Sequence, residues 1–192
     1  MKLPPFAAQN RFYRGNLHGH STHSDGCLSP QAVVDRYAGL GYDFTCLSDH
    51  LWINDAFAAR SVYDASSLNS TDFITLPSAE LHCFGKRFDQ DGLWHIVANG
   101  LPVDFACPHD TESAPELIAR ACAAGAYVSL AHPEWHAMTT DEALLVASAA
   151  AVAIYNHSCV LSSARGSGSV IADYLLNEGH NISFIYETCI DN

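Results

Sequence analysis

Residues 16–26 read Asn16-Leu17-His18-Gly19-His20-Ser21-Thr22-His23-Ser24-Asp25-Gly26, and the rest of the chain is read outward from them. They close a segment beginning near Phe12 that has the pattern of a β-strand. In an extended segment residues i and i+2 point to the same side, so His18 and His20 can reach one ion from a single strand end. Three later strand-like segments end in the same residue types: Leu47-Ser48-Asp49-His50, Ala79-Glu80-Leu81-His82 and Leu130-Ala131-His132-Pro133. A single histidine at a strand end is ordinarily a satisfied polar group. Four such ends in one chain point to a metal site.

Between these ends the pattern alternates. A strand over 12–20 is followed by Ser29-Pro30 as cap and first turn of a helix over 31–40, stopped by Gly41. Strands are expected at 42–47 and 73–81, with an irregular stretch over 55–64 between them. A short apolar run at 95–101 is expected to pair back onto 81–84 across the turn-rich 85–92. Ser113-Ala-Pro-Glu116 is a capping box opening a helix to about 124. A strand at 126–131, a helix over 140–149, a strand at 152–155, a helix over 168–178 and a strand at 182–185 complete the chain. This alternation predicts an α/β fold, a parallel sheet or barrel with helices outside. In a barrel the C-terminal strand ends converge on one face, where ligands and catalysis sit.

The 192 residues are one domain, 1–192. Hydrophobic residues at 48% against 16% charged supply a core and exclude disorder. Nine Lys and Arg against 21 Asp and Glu leave a formal net charge of −12, which excludes a grip on long nucleic acid or an anionic membrane. The 11 histidines outnumber the cationic residues, and bound divalent ions would offset part of the acidity. The seven cysteines form no CxxC pair, the N-terminal stretch lacks the pattern of a signal peptide, and no run is long enough for a membrane span. A reduced, cytoplasmic protein is expected. No GxSxG elbow or P-loop is present. His132 and His136 have helical zinc spacing, but Pro133 departs from HExxH, so His136 is expected to be peripheral and His109 and His180 to lie at the surface.

HGHSTHSDG, SDH, AELH, HIVANG and AHP, in that order, resemble the successive motifs of the polymerase and histidinol phosphatase (PHP) domain over about residues 18–157. The resemblance implies a distorted (β/α)7 TIM-like barrel carrying two to three divalent ions, zinc, manganese or iron, and hydrolysing phosphoesters. Carried across, His18 and His20 match ligands of a first ion. Glu80 matches the carboxylate bridging it to a second, whose imidazole ligands match His95 and His132. Asp25 and His50 match ligands of a third. Asp49 would orient a neighbouring histidine, and Asn156 and His157 would touch substrate at the pocket rim. The pattern breaks at the end: family members close the last strand with Asp-x-His, whereas Asn181-Ile-Ser-Phe-Ile185 is followed here by Tyr-Glu-Thr-Cys-Ile-Asp-Asn. Cys189 and Asp191 keep only the spacing. The last strand and helix region is therefore expected to be incomplete, with a homodimer covering the open edge.

Such a ligand set implies its chemistry. A water between two cations loses a proton near neutral pH and attacks phosphorus without any protein nucleophile. With few cationic side chains, the ions would hold the phosphate, which favours small phosphomonoesters, phosphodiesters or short nucleotides. A metallohydrolase acting on phosphotriesters, esters or lactones, and a degenerate non-catalytic domain keeping one structural ion, are the alternatives.

Overall fold

The computed structural model describes residues 12–53, 57–87 and 92–188. Cys189 and Asp191 lie outside the described residues, as do residues 1–11 and parts of the 55–64 and 85–92 stretches. In chain order the elements are β1 (Gly15–Asn16), α1 (Pro30–Gly39), β2 (Phe44–Leu47), β3 (His50–Leu51), β4 (Ile74–Phe84), β5 (Leu93–Asn99), α2 (Ala114–Ala123), β6 (Tyr127–Leu130), α3 (Thr140–Leu145), β7 (Ala151–Asn156), α4 (His157–Ser163), α5 (Ser169–Asn177) and β8 (Ser183–Glu187).

The strands form one curved, nearly closed sheet in the order β1-β2-β4-β5-β6-β7-β8, with β3 beside the second half of β4. Pairing is parallel except around β5, which runs antiparallel to both β4 and β6. The tight connection from β4 to β5 explains the exception, because a parallel neighbour needs a crossover of a dozen or more residues. Leu81 pairs with Ile96 and Phe84 with Leu93, so the expected hairpin forms. The seam lies between β1 and β8, which share no ladder among the described residues. Side chains bridge it instead: Thr188 Oγ1 donates to Asn16 Oδ1 at 2.9 Å and lies 2.7 Å from the Tyr37 hydroxyl.

Local chemistry sets the helix boundaries. Ser29 Oγ accepts from Ala32 N at the start of α1, and Gly41, at φ +75°, adopts the left-handed turn that ends it. Thr139 and Glu142 cap α3 reciprocally, at 3.3 and 2.8 Å. That helix stops at Leu145, short of the expected 149, because Ala150 N is drawn into the sheet by Val128 O at 2.8 Å. β1 is also shorter than expected. Ser48 holds the chain just beyond it, with Oγ accepting from Gly19 N at 3.0 Å and N donating to Gly19 O at 2.9 Å. Helix α2 buries Leu117, Ile118 and Ala121 against β4, β5 and β6, and α5 buries Ile171 and Leu175 against β7, forming one apolar core behind the sheet.

Candidate metal centre

Glu80 is the hub of the site. It is buried near the C-terminal end of β4, and its two oxygens face two sets of imidazoles. Oε2 lies 3.0 Å from His18 Nε2, 3.1 Å from His20 Nε2 and 3.3 Å from His50 Nδ1. Oε1 lies 2.7 Å from His95 Nδ1 and 3.3 Å from His132 Nε2. Strand alternation points Glu80 and His82 the same way. His95 reaches the same end from the start of β5 because that strand is antiparallel, which places it opposite His82. His132 stands just beyond β6 at φ +26°, a strained conformation for a residue with a Cβ, next to Pro133. Gly26 closes the loop after His20: a Cβ there would lie 2.7 Å from the His20 carbonyl carbon and the Ser21 nitrogen.

Four rings of the cluster turn their other nitrogen toward an acceptor. His18 Nδ1 lies 3.1 Å from Glu187 Oε2, and His20 Nδ1 lies 3.0 Å from Asp25 Oδ1. His50 Nε2 lies 3.4 Å from Asp25 Oδ2, and His82 Nδ1 donates to Trp94 O at 2.9 Å. Metal-binding imidazoles are oriented in this way by carboxylates and carbonyls behind them. Four groups of three ligand atoms, each within 4.8 Å of one another, could hold a cation: His18–His20–Glu80, Glu80–His95–His132, His20–Asp25–His50 and His50–Glu80–His82. Imidazole nitrogen with carboxylate oxygen suits zinc, iron or manganese, so the donor set fits the ions that the sequence implies.

No sequence-family profile and no curated protein matches the chain. Solved structures do. A two-domain protein from Bacteroides vulgatus containing a predicted PHP-like metal-dependent phosphoesterase superposes at a TM-score of 0.63 with 17% identity, over 93% of this chain and 52% of that one. The fold is that of the PHP-like phosphoesterases. An inferred metal-dependent phosphoesterase from Bifidobacterium adolescentis superposes at 0.64 with 13% identity, over 93% of this chain and 88% of its own. An amidohydrolase from Chromobacterium violaceum, with bound sulfate and no metal, superposes at 0.58 with 12% identity, over 93% of this chain and 87% of that chain. The chain thus spans about half the length of the first neighbour and most of the other two.

Within this PHP-type barrel the seven residues expected as ligands, His18, His20, Asp25, His50, Glu80, His95 and His132, come together at one end. Asp49 does something other than expected. Its oxygens accept from Ser21 N at 2.7 Å, Ser21 Oγ at 2.9 Å and Ser24 Oγ at 2.7 Å, so it pins the loop carrying His20 and Asp25 and orients no imidazole through these bonds. Asn156 is buried away from the rim. It caps α4 by accepting from Cys159 N at 2.9 Å and donates to Glu187 at 3.2 Å. His157 is exposed, with Nδ1 3.1 Å from the Tyr155 hydroxyl, and the next turn of α4 lines the cavity with Ser158, Cys159 and Ser162. His136 is not peripheral: it is buried, donates from Nε2 to Ala131 O at 3.1 Å and stacks on His95 at 5.3 Å. His109 is exposed and His180 half-buried.

Glu187 and His82 were absent from the expected ligand set. Glu187-Thr-Cys189 has the spacing of the missing Asp-x-His, with a longer carboxylate in place of Asp, and that was the available signal.

Burial pushes the Glu80 carboxyl up, but the imidazoles of His50 and His18 outweigh it and hold the group well below the usual range. Burial lowers His82, His132 and His136, which keeps them neutral and able to donate a lone pair. Above the cluster opens a cavity of about 300 Å³, walled by Phe57, Leu93, Trp135 and the α4 residues. No lysine or arginine is among its described lining residues. Lys86 is buried elsewhere, against Glu142 at 2.8 Å. Among the described residues no helix is long and apolar enough to cross a membrane.

Proposed function

We propose that this chain is a metal-dependent hydrolase that cleaves phosphoester bonds of small phosphomonoesters, phosphodiesters or short nucleotides. One observation carries the reading: a single buried carboxylate, Glu80, turns each oxygen toward its own set of imidazoles, as a bridging ligand must. His18 and His20 with Glu80 would hold one cation, and His95 and His132 with Glu80 a second. Bound divalent ions supply an activated water and compensate charge developing on the phosphoryl oxygens. Glu187 and Asp25 keep the rings of His18 and His20 turned with one nitrogen inward. Phe57 and Trp135 narrow the cavity around the reacting group and limit bulk water, and the Ser162 hydroxyl on its wall can donate to a substrate oxygen. The sulfate in the Chromobacterium neighbour, an oxyanion of phosphate-like shape, is consistent with this substrate class.

The lack of lysine and arginine among the described lining residues and the amidohydrolase neighbour favour a second reading, hydrolysis of an ester or lactone by the same ligands. The deciding experiment assays metal-loaded protein side by side on a chromogenic aryl phosphate, an aryl ester and a lactone. Phosphate release that is abolished by chelation and restored by Zn2+ or Mn2+ is the expected result. Turnover of the ester or lactone alone replaces the first reading with the second, and no turnover of any substrate removes both.

A further inference from the structure

We propose that Trp135 and Phe57 form an aromatic subsite for the organic group of the substrate, and that this chain hydrolyses esters in which an uncharged planar ring carries a single phosphoryl group. The inference rests on the phosphoesterase reading and narrows its substrate class.

Both rings line the cavity above the candidate metal cluster. Trp135 stands across two imidazoles, 5.3 Å from His95 at 72° and 5.4 Å from His132 at 78°. Phe57 stands edge-on to a different pair, 5.0 Å from His50 and 5.9 Å from His82, and is backed by the buried Trp52 at 6.3 Å. Among the described residues neither ring belongs to an apolar core cluster, so neither is explained by packing of the barrel. Trp135 is 39% exposed and offers apolar ring surface beside the imidazoles. Another ring covers such surface best, stacked with an offset or edge to face. Small-molecule sites are built in this way, from aromatic walls around a few polar groups that fix orientation.

Trp135 is held in place by its own loop. Its N–H donates to His132 O at 3.0 Å. The preceding Glu134 donates from N to Ser167 O at 3.2 Å and accepts from Ser167 N at Oε2 at 2.7 Å. The loop is thus tied both to His132 and to the segment after α4. A ring on a backbone fixed in this way loses little freedom when a ligand packs on it.

Charge sets the other half of the class. Apart from the imidazoles, the ionisable lining groups include the carboxylates of Asp25 and Glu80 and no lysine or arginine among the described residues. Cations on the cluster would compensate one phosphoryl group. A second phosphate, or a carboxylate on the ring, would find no cationic side chain and would meet Asp25, whose side chain is 40% exposed, in a chain of net charge −12. The cavity, about 300 Å³, lies at the small end of the range for ligand sites, which suits one phosphoryl group and one ring system.

Phosphonates carry the phosphoryl group on carbon and are not hydrolysed, so they test recognition apart from chemistry. The Zn2+-loaded chain is titrated by calorimetry with methyl-, cyclohexyl- and phenylphosphonate and with 1,4-phenylenebisphosphonate. Phenylphosphonate should bind about tenfold more tightly than methylphosphonate. Cyclohexylphosphonate should bind at least about threefold more weakly than phenylphosphonate, and the bisphosphonate no more tightly than methylphosphonate. Trp135→Ala should erase the preference for the ring, and Trp135→Phe should restore most of it. The wild-type Trp135 indole 1H–15N resonance should move with phenylphosphonate and stay with methylphosphonate, a reading independent of variant folding. Equal affinity for the phenyl and methyl compounds, tightest binding of the bisphosphonate, a preference that survives Trp135→Ala, or an indole resonance unmoved by phenylphosphonate overturns the proposal. With phosphate release from an aryl phosphate still observed, any of these results leaves the phosphoesterase reading standing. Ring-selective phosphonate binding without such release keeps the subsite and removes that reading. No zinc-dependent binding of any phosphonate, with no phosphate release, removes both.

Discussion

Glu187, the last residue of β8, lies with Oε2 3.1 Å from Nδ1 of His18, the ring nitrogen opposite the one that faces Glu80. The two residues are far apart in sequence and stand on either side of the barrel seam. The contact therefore joins the open edge of the sheet to the candidate metal centre.

Replacing Glu187 with Gln keeps the shape and removes the charge. Glu187 Oε1 is buried without a partner, so an amide should leave the metal-free protein as stable as wild type or slightly more so. The affinity for the ion on His18 should fall about 10–100-fold, as it does when a carboxylate behind a metal-bound imidazole is lost. Chelator competition on the two proteins measures this, and equal affinities would separate Glu187 from the site.

Glu80→Gln should leave the fold intact and reduce turnover below about a tenth of wild type, because removing a bridging charge forfeits several kcal/mol of cation binding. Metal content and turnover are measured on the same preparation. Full metal content together with turnover above that level would sink the bridging role.

His18→Ala and His20→Ala should each lower metal content and activity, whereas His109→Ala and His180→Ala should alter neither. The first pair lies within 3.1 Å of Glu80, while His109 is exposed and His180 half-buried. Equal effects across the four would mean that proximity to Glu80 does not define the site.

The metal-free protein should lose stability as pH falls below the ordinary histidine range of about 6.5. Burial lowers His82, His132 and His136 in the folded state, so the unfolded chain takes up protons that the native state refuses. Stability then rises with pH through that range and is fully present above it. Thermal melts of chelator-treated protein between pH 8 and 5 should show a falling Tm; a rising Tm contradicts the assignment of neutral rings.

Glu142→Gln should cost about 3 kcal/mol in denaturant melts, because it leaves the buried Lys86 ammonium without its charge partner. Burial pushes the Glu142 carboxyl up, yet its bond to Lys86 and those from Thr139 and Arg87 bring it down to about 2. An unchanged melt would show that the pair contributes nothing.

Most of the barrel was legible in the sequence because its signals are local. Ser29-Pro30, Ser113–Glu116 and the glycine at 41 act within one helical turn, and the apolar runs of β2, β4, β5 and β6 need no partner to be recognised. Helix α4 was not legible: with only seven residues, its apolar pattern is too short to show a period, and it depends on the Asn156 cap.

The residue types and the strand-end spacing of His18, His20, Glu80 and His132 were determined by the sequence alone, since i, i+2 geometry follows from any extended backbone. The tertiary structure decided which nitrogen of His18, His20 and His82 faces inward, because that depends on acceptors brought from distant elements: Glu187 from β8, Asp25 from the loop held by Asp49, and the Trp94 carbonyl from β5. It also moved Asn156 from an expected substrate contact to a helix cap, and gave His82 a fixed lone pair that its place in the chain does not reveal. Spacing along one strand limits which side chains can share a face. Ring orientation is set by hydrogen bonds across the fold, and those exist only once the chain has closed.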